Sequence, residues 1–153
     1  MGLRLFADSN VLRAISLITI LGASLQADDK ACTVSNLKGT YGYTITGTRP
    51  VPSGPSAGQI EQAIGVGVRR YDGNGGFTQV DTTKGAIAGA AIDIPTSGTY
   101  VVNPDCSGTS FIMIPGRPAP IEVRFVVVND GKEIRWIVLN PLATMVTGVA
   151  VRL

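Results

Sequence analysis

The stretch Ile121-Glu122-Val123-Arg124-Phe125-Val126-Val127-Val128-Asn129-Asp130-Gly131-Lys132-Glu133-Ile134-Arg135-Trp136-Ile137-Val138-Leu139-Asn140 decides the fold class. Two β-branched and aromatic runs flank an Asp-Gly pair. That pair favours a two-residue type I′ turn, because both central positions take positive φ. If Asn129 faces Lys132, then Val127 faces Ile134, Phe125 faces Trp136 and Val123 faces Val138. With Ile121 these form one core face. The other face mixes Glu122, Arg124, Glu133 and Arg135 with Val126, Val128, Ile137 and Leu139. Its aliphatic members point to cover by another segment or by a second subunit, so a homo-oligomer through the outer face of 121–139 is one expectation.

Working outward, the remaining segments alternate in the same way, and helical periodicity is missing after residue 30. Strands are expected near 39–48, 58–71, 77–83, 86–93, 98–103, 108–115, 120–129, 133–140 and 144–152, the 86–93 segment being the least regular. A second hairpin turns at Asp72-Gly73-Asn74-Gly75-Gly76. There Tyr71 faces Phe77, Val68 faces Val80 and Asp81 faces Gly67. Gly65 and Gly67 share a face of one long strand, a spacing that permits sharp curvature. The fold expected is all-β: an antiparallel up-and-down barrel of about eight strands, with a β-sandwich as the alternative.

The N-terminus reads as a targeting segment. Arg4 and Arg13 precede the apolar run Ala14–Ser24, small residues follow, and charge returns at Asp28-Asp29-Lys30. That is the secretory order. Cleavage after Ala27 would make residues 1–27 a signal peptide and residues 28–153 a single barrel domain. Removing Arg4, Arg13 and Asp8 from 13 basic and 11 acidic residues leaves a net charge of +1. Such a charge gives no footprint for nucleic acid, and no stable membrane insertion is expected after cleavage. The expected location is secreted or periplasmic.

The chain has two cysteines and no histidine. In an exported chain Cys32 and Cys106 are expected to form a disulfide, tying the new N-terminus to a mid-chain hairpin as a staple on a barrel entrance. Without histidine, Ser-His-Asp and Cys-His nucleophiles and His-ligated metals are excluded. No cofactor and no metal are expected. The Asp72-Gly73-Asn74-Gly75 segment departs from a calcium loop at Thr83 and reads as a turn. The Pro-rich segment 49–58 reads as a bland surface loop, with a flap over one barrel end as the alternative.

Glu61 and Asp81 share one strand face with Arg69 and Gln79. They would pair as acid and base only if that face looked inward, and a solvated outer surface explains them equally well. Tyr41, Tyr43, Phe125 and Trp136 are the candidate ligand-binding residues, should the interior hold a cavity. An eight-stranded barrel is wide enough either to be filled by side chains or to hold one small ligand. No catalytic residue is assigned.

The segments Cys32-Thr33-Val34-Ser35-Asn36-Leu37-Lys38-Gly39-Thr40-Tyr41-Gly42-Tyr43 and Gly98-Thr99-Tyr100-Val101-Val102-Asn103-Pro104-Asp105-Cys106-Ser107-Gly108-Thr109 carry a resemblance. So do Tyr71–Gly75, Asp130–Arg135 and Val146–Ala150. The chain resembles a family of uncharacterised bacterial exported proteins. That resemblance implies export but no reaction. At the level of strand layout it is similar to calycin-type barrels such as lipocalins and allene oxide cyclase-like proteins. Lipocalins would imply an apolar ligand, and the cyclases a trimer with an apolar cavity. The function expected is a secreted, non-catalytic barrel that binds a small apolar ligand or a protein partner. A cyclase- or isomerase-like enzyme with a buried polar pair such as Glu61 and Tyr43, or a structural envelope protein, is the alternative.

Overall fold

The computed structural model describes residues 31–153; the expected signal segment lies outside the described residues. Eight antiparallel strands follow in chain order: β1 (Lys38–Pro50), β2 (Ile60–Asp72), β3 (Gly76–Gly85), β4 (Gly89–Val102), β5 (Ser107–Met113), β6 (Ile121–Val128), β7 (Glu133–Asn140) and β8 (Met145–Arg152). Each pairs with the next, and β8 pairs back to β1, closing the barrel. Closure leaves no sheet edge exposed. The sandwich alternative is thereby excluded.

The β6–β7 hairpin has the register its sequence implies. Phe125 pairs with Trp136, Val127 with Ile134 and Val123 with Val138. Asp130 and Gly131 have φ of 54° and 77°, and Lys132 N–H donates to Asn129 O at 3.0 Å. The outer face keeps Val126, Ile137 and Leu139 exposed beside Arg124 and Arg135.

One expectation about strands is corrected and one open choice is settled. Residues 89–93 and 98–102 belong to one strand, β4, which runs through Pro95, while 86–88 form the turn before it. Proline costs a ladder N–H, but β4 absorbs the irregularity with a register shift opposite Asp81 and Thr83. Asp93 takes a φ of 52° there, and its N–H donates to Thr82 Oγ1 at 3.1 Å. The open choice concerns which way β2 and β3 face. Val66, Val68 and Val80 stand on the outside, about half exposed, while Glu61, Arg69 and Gln79 point inward and are buried. The charged face is the inner one.

The two barrel ends differ. At one end the chain before β1 forms a plug. A single 3-10 turn, Val34–Asn36, and Leu37 cap the strands, and Leu37 is fully buried. Tyr100 Oη donates to Val34 O and Leu37 O, both at 3.0 Å. Tyr41 Oη donates to Gly131 O, and Arg152 Nη2 donates to Asn36 O at 2.8 Å. Tyr71 stacks edge-on between Tyr41 and Tyr100 at 5.3 and 5.0 Å. The Cys32–Cys106 disulfide fastens this plug, with Cα atoms 4.9 Å apart. It therefore sits on the closed end of the barrel, not at an entrance, because the segment it anchors fills the opening.

Candidate functional site at the open end

The other end carries the loops β1–β2, β3–β4, β5–β6 and β7–β8. Between them a cavity of about 650 Å³ reaches into the barrel. Its two walls differ in chemistry because strands β1 to β3 turn charged and amide side chains inward, whereas the later strands turn in mostly apolar ones, with the hydroxyls of Thr96 and Ser110 as exceptions.

The polar wall begins with a row across three strands. Tyr43 on β1 pairs with Gly67 on β2, which pairs with Asp81 on β3. A Cβ on Gly67 would lie 2.6 Å from the Tyr43 ring and hydroxyl. The glycine is thus the gap through which Tyr43 reaches over β2, and its Oη donates to Asp81 Oδ2 at 3.0 Å. Gln79 Nε2 donates to the same oxygen at 3.0 Å, while its Oε1 accepts from Arg69 Nε at 2.6 Å. Arg69 Nη1 donates to Tyr71 Oη at 3.0 Å, and its guanidinium lies 4.4 Å from the Phe77 ring centre. Arg69 is thus a buried cation held by an amide, a phenol and aromatic faces, with no carboxylate in contact among the described residues.

Burial pushes the Asp81 carboxyl above its ordinary value, opposed by the Tyr43 and Gln79 hydrogen bonds and by the charges of Arg69 and Arg49. Burial, with the Asp81 charge added, also pushes the Tyr43 phenol far up. Tyr43 therefore stays a donor at every working pH.

Glu61 is on the same inner face but is fully engaged. Its Oε2 accepts from the N–H groups of Ala88 and Ile87 at 2.9 and 2.8 Å, and its Oε1 pairs with Arg49 Nε at 3.0 Å. The Ala88 N–H, with Ile87 and Arg49, holds this carboxyl below its ordinary value. Gly85 makes room, since a Cβ there would overlap the Glu61 carboxylate. Glu61 locks the β3–β4 turn, so the acid and base do not pair with each other.

The facing wall is apolar. Ile94, Ile112, Ile121, Trp136, Val138 and Val146 line it. Trp136 is kept flat against β8 because its ring occupies the space a Cβ on Gly148 would need. At the mouth, Pro50, Val51 and Pro52 line the cavity, with Val51 buried. The Pro-rich segment is therefore rim and not a bland surface loop. Arg117 from the β5–β6 loop lines the rim opposite.

Of the four sequence candidates, the structure puts Tyr43 and Trp136 on the cavity and Tyr41 and Phe125 in the packed core. Arg69, Gln79 and Asp81 join Tyr43, although the sequence left the direction of their face open and did not put them among the ligand-binding candidates. The signal was Gly67, which the expected hairpin register already placed opposite Asp81; its pairing with Tyr43 comes from the β1–β2 register of the structure. Among the described residues no group of three or more acidic or cysteine side chains gathers as a metal site. The Asp72 turn closes on itself, Oδ1 accepting from Asn74 and Gly76 N–H at 2.7 and 2.9 Å. Compared with known protein families and with curated proteins, the sequence matches none.

Proposed function

We propose that the protein is an exported barrel that takes one small amphipathic molecule into its open-end cavity. The observation that carries this reading is the division of one 650 Å³ space into an apolar wall around Trp136 and a polar wall around Asp81. Ligand cavities are mostly apolar, with a few placed polar groups that fix orientation. A wholly apolar molecule would displace water from Asp81 and Arg69 and offer them no hydrogen bond in return, at a cost of several kcal/mol per charge. The ligand is therefore a carbon skeleton carrying a hydrogen-bonding head. Export belongs to the same reading. The basic-apolar-small N-terminus and the Cys32–Cys106 bridge support a secreted or periplasmic location. Kinship with calycin barrels is supported by architecture alone.

Mass spectrometry of an organic extract of the purified protein tests the binding reading. About one equivalent of a molecule with an apolar body and a single polar head is expected. An extract without any such molecule, from protein that also binds none when amphiphiles are added, would contradict it.

A further inference from the structure

Three polar atoms on the cavity wall lack a partner among the described residues. Asp81 uses only Oδ2 for Tyr43 and Gln79, so Oδ1 is unused. Arg69 uses Nε and Nη1, so Nη2 is unused. The Thr96 hydroxyl is buried without any hydrogen bond, although Thr96 lines the cavity and pairs with Gln79. Buried polar groups in folded proteins are ordinarily satisfied, and exceptions mark functional sites; among the described residues the Thr96 and Ser110 hydroxyls are such exceptions, whereas Asp81 Oδ1 and Arg69 Nη2 are free because they open onto the cavity. Here an acceptor, a cationic donor and a hydroxyl stand on adjacent ladder rows, 81 opposite 67 and 79 opposite 69. They face an apolar wall that would hold carbon.

We propose that the cavity catalyses proton transfer at a carbon next to a carbonyl, with Asp81 as the base and Arg69 as the group that holds the enolate. This goes beyond binding and rests on the reading that a small molecule enters the cavity. The carbonyl oxygen accepts from Arg69 Nη2. Asp81 Oδ1 removes the proton from the adjacent carbon, the C–H pair moves into the C–C bond, and the carbonyl pair moves onto oxygen as an enolate. The proton then returns from Asp81 to the same carbon or, where a double bond lies one carbon further, to its far end. The net change is an exchange or a double-bond shift, and no oxidant, reductant or co-reactant is consumed.

The surroundings suit the two roles. Desolvation raises the basicity of Asp81 toward the range useful for a base. Tyr43 and Gln79 hold one carboxylate oxygen and so aim the other. Arg69 is fixed by Gln79, Tyr71 and the Phe77 face before substrate arrives, and preorganised charge is the stronger stabiliser of a developing oxyanion. Glu61, with its oxygens already engaged, is excluded as the base.

The test uses the purified protein as it is produced after export, with 2-decanone as the probe. Binding is read from the fluorescence of Trp136, the chain's one tryptophan. Catalysis is read as deuterium uptake at the carbons beside the carbonyl in heavy water. The wild type is expected to respond at Trp136 and to speed exchange over buffer about 100-fold. Asp81→Asn is expected to lose that acceleration at saturating 2-decanone. Arg69→Lys reports the enolate role as slower exchange at saturating ketone. A wild type that binds 2-decanone without exchange, or an Asp81→Asn protein that exchanges as fast as wild type, would overturn the proton-transfer proposal alone. A wild type with no Trp136 response to 2-decanone would overturn it together with the binding reading.

Discussion

The hydroxyl of Tyr43 reaches the carboxylate of Asp81 across an intervening strand, because the residue between them is Gly67. One missing side chain thus couples β1 to β3 inside the barrel. The same device recurs where Phe77 lies over Gly98, Phe125 over Gly108 and Trp136 over Gly148. In each case a large ring fills space that a neighbouring Cβ would need.

Gly67→Ala tests the coupling. The new methyl would meet Tyr43 Cζ and Oη at 2.6 Å and Val80 O at 2.7 Å. The ring must leave, and the Val80 carbonyl must also shift. Overpacking of this kind costs about 1–3 kcal/mol. Urea denaturation should show that loss. Tyr43→Phe should give a smaller loss, since it deletes one hydrogen bond and no packing.

How far these features were legible in the sequence depends on the element. The 121–140 hairpin could be read to the register because Asp130-Gly131 sets the turn and both runs alternate. The β2–β3 hairpin could be read to the register but not to the side, since Tyr71 opposite Phe77 gives the pairing while Arg69 and Val68 compete for the interior. Charge points to water only when the interior is dry, and here Gln79 and Tyr43 satisfy the charges inside a cavity. The plug was not legible, as nothing in Thr33-Val34-Ser35-Asn36-Leu37 announces that the Tyr100 hydroxyl will hold it by two of its carbonyls.

Asp81→Asn should change the pH dependence of stability. The Asp81 carboxyl is raised in the fold from an ordinary 3.8, so the stability it contributes is fully present below that value and is lost as pH rises through the raised one. Asparagine does not titrate and still accepts from Tyr43. The thermal midpoint of the variant relative to wild type should therefore move in the variant's favour as pH rises from 3.8 through the raised value. A constant difference would contradict the burial of Asp81.

Glu61→Gln should behave in the opposite sense. The Glu61 carboxyl is lowered in the fold, so its contribution is present above the ordinary 4.5 and is lost as pH falls through the lowered value. The variant should melt below wild type at neutral pH, and the gap should narrow in acid. Amide exchange should also speed at Ile87 and Ala88, whose N–H groups donate to Glu61.

Reducing the Cys32–Cys106 bridge should loosen the closed end first. It spans 74 positions, and the chain-entropy estimate for such a loop is about 4 kcal/mol. The double variant Cys32→Ser with Cys106→Ser should show faster amide exchange at Leu37, whose N–H donates to Val34 O, and at Asn36. The open-end cavity, lined by other segments, should keep its ligand response.

The most direct measurement is a titration of the folded protein with 1-decanol, followed by the fluorescence of Trp136, which lines the cavity. A saturable one-site change is expected, weakened at least about tenfold by Val138→Phe, which narrows the same space. A flat titration, or a response that never saturates and ignores Val138→Phe, would contradict a ligand site inside the barrel.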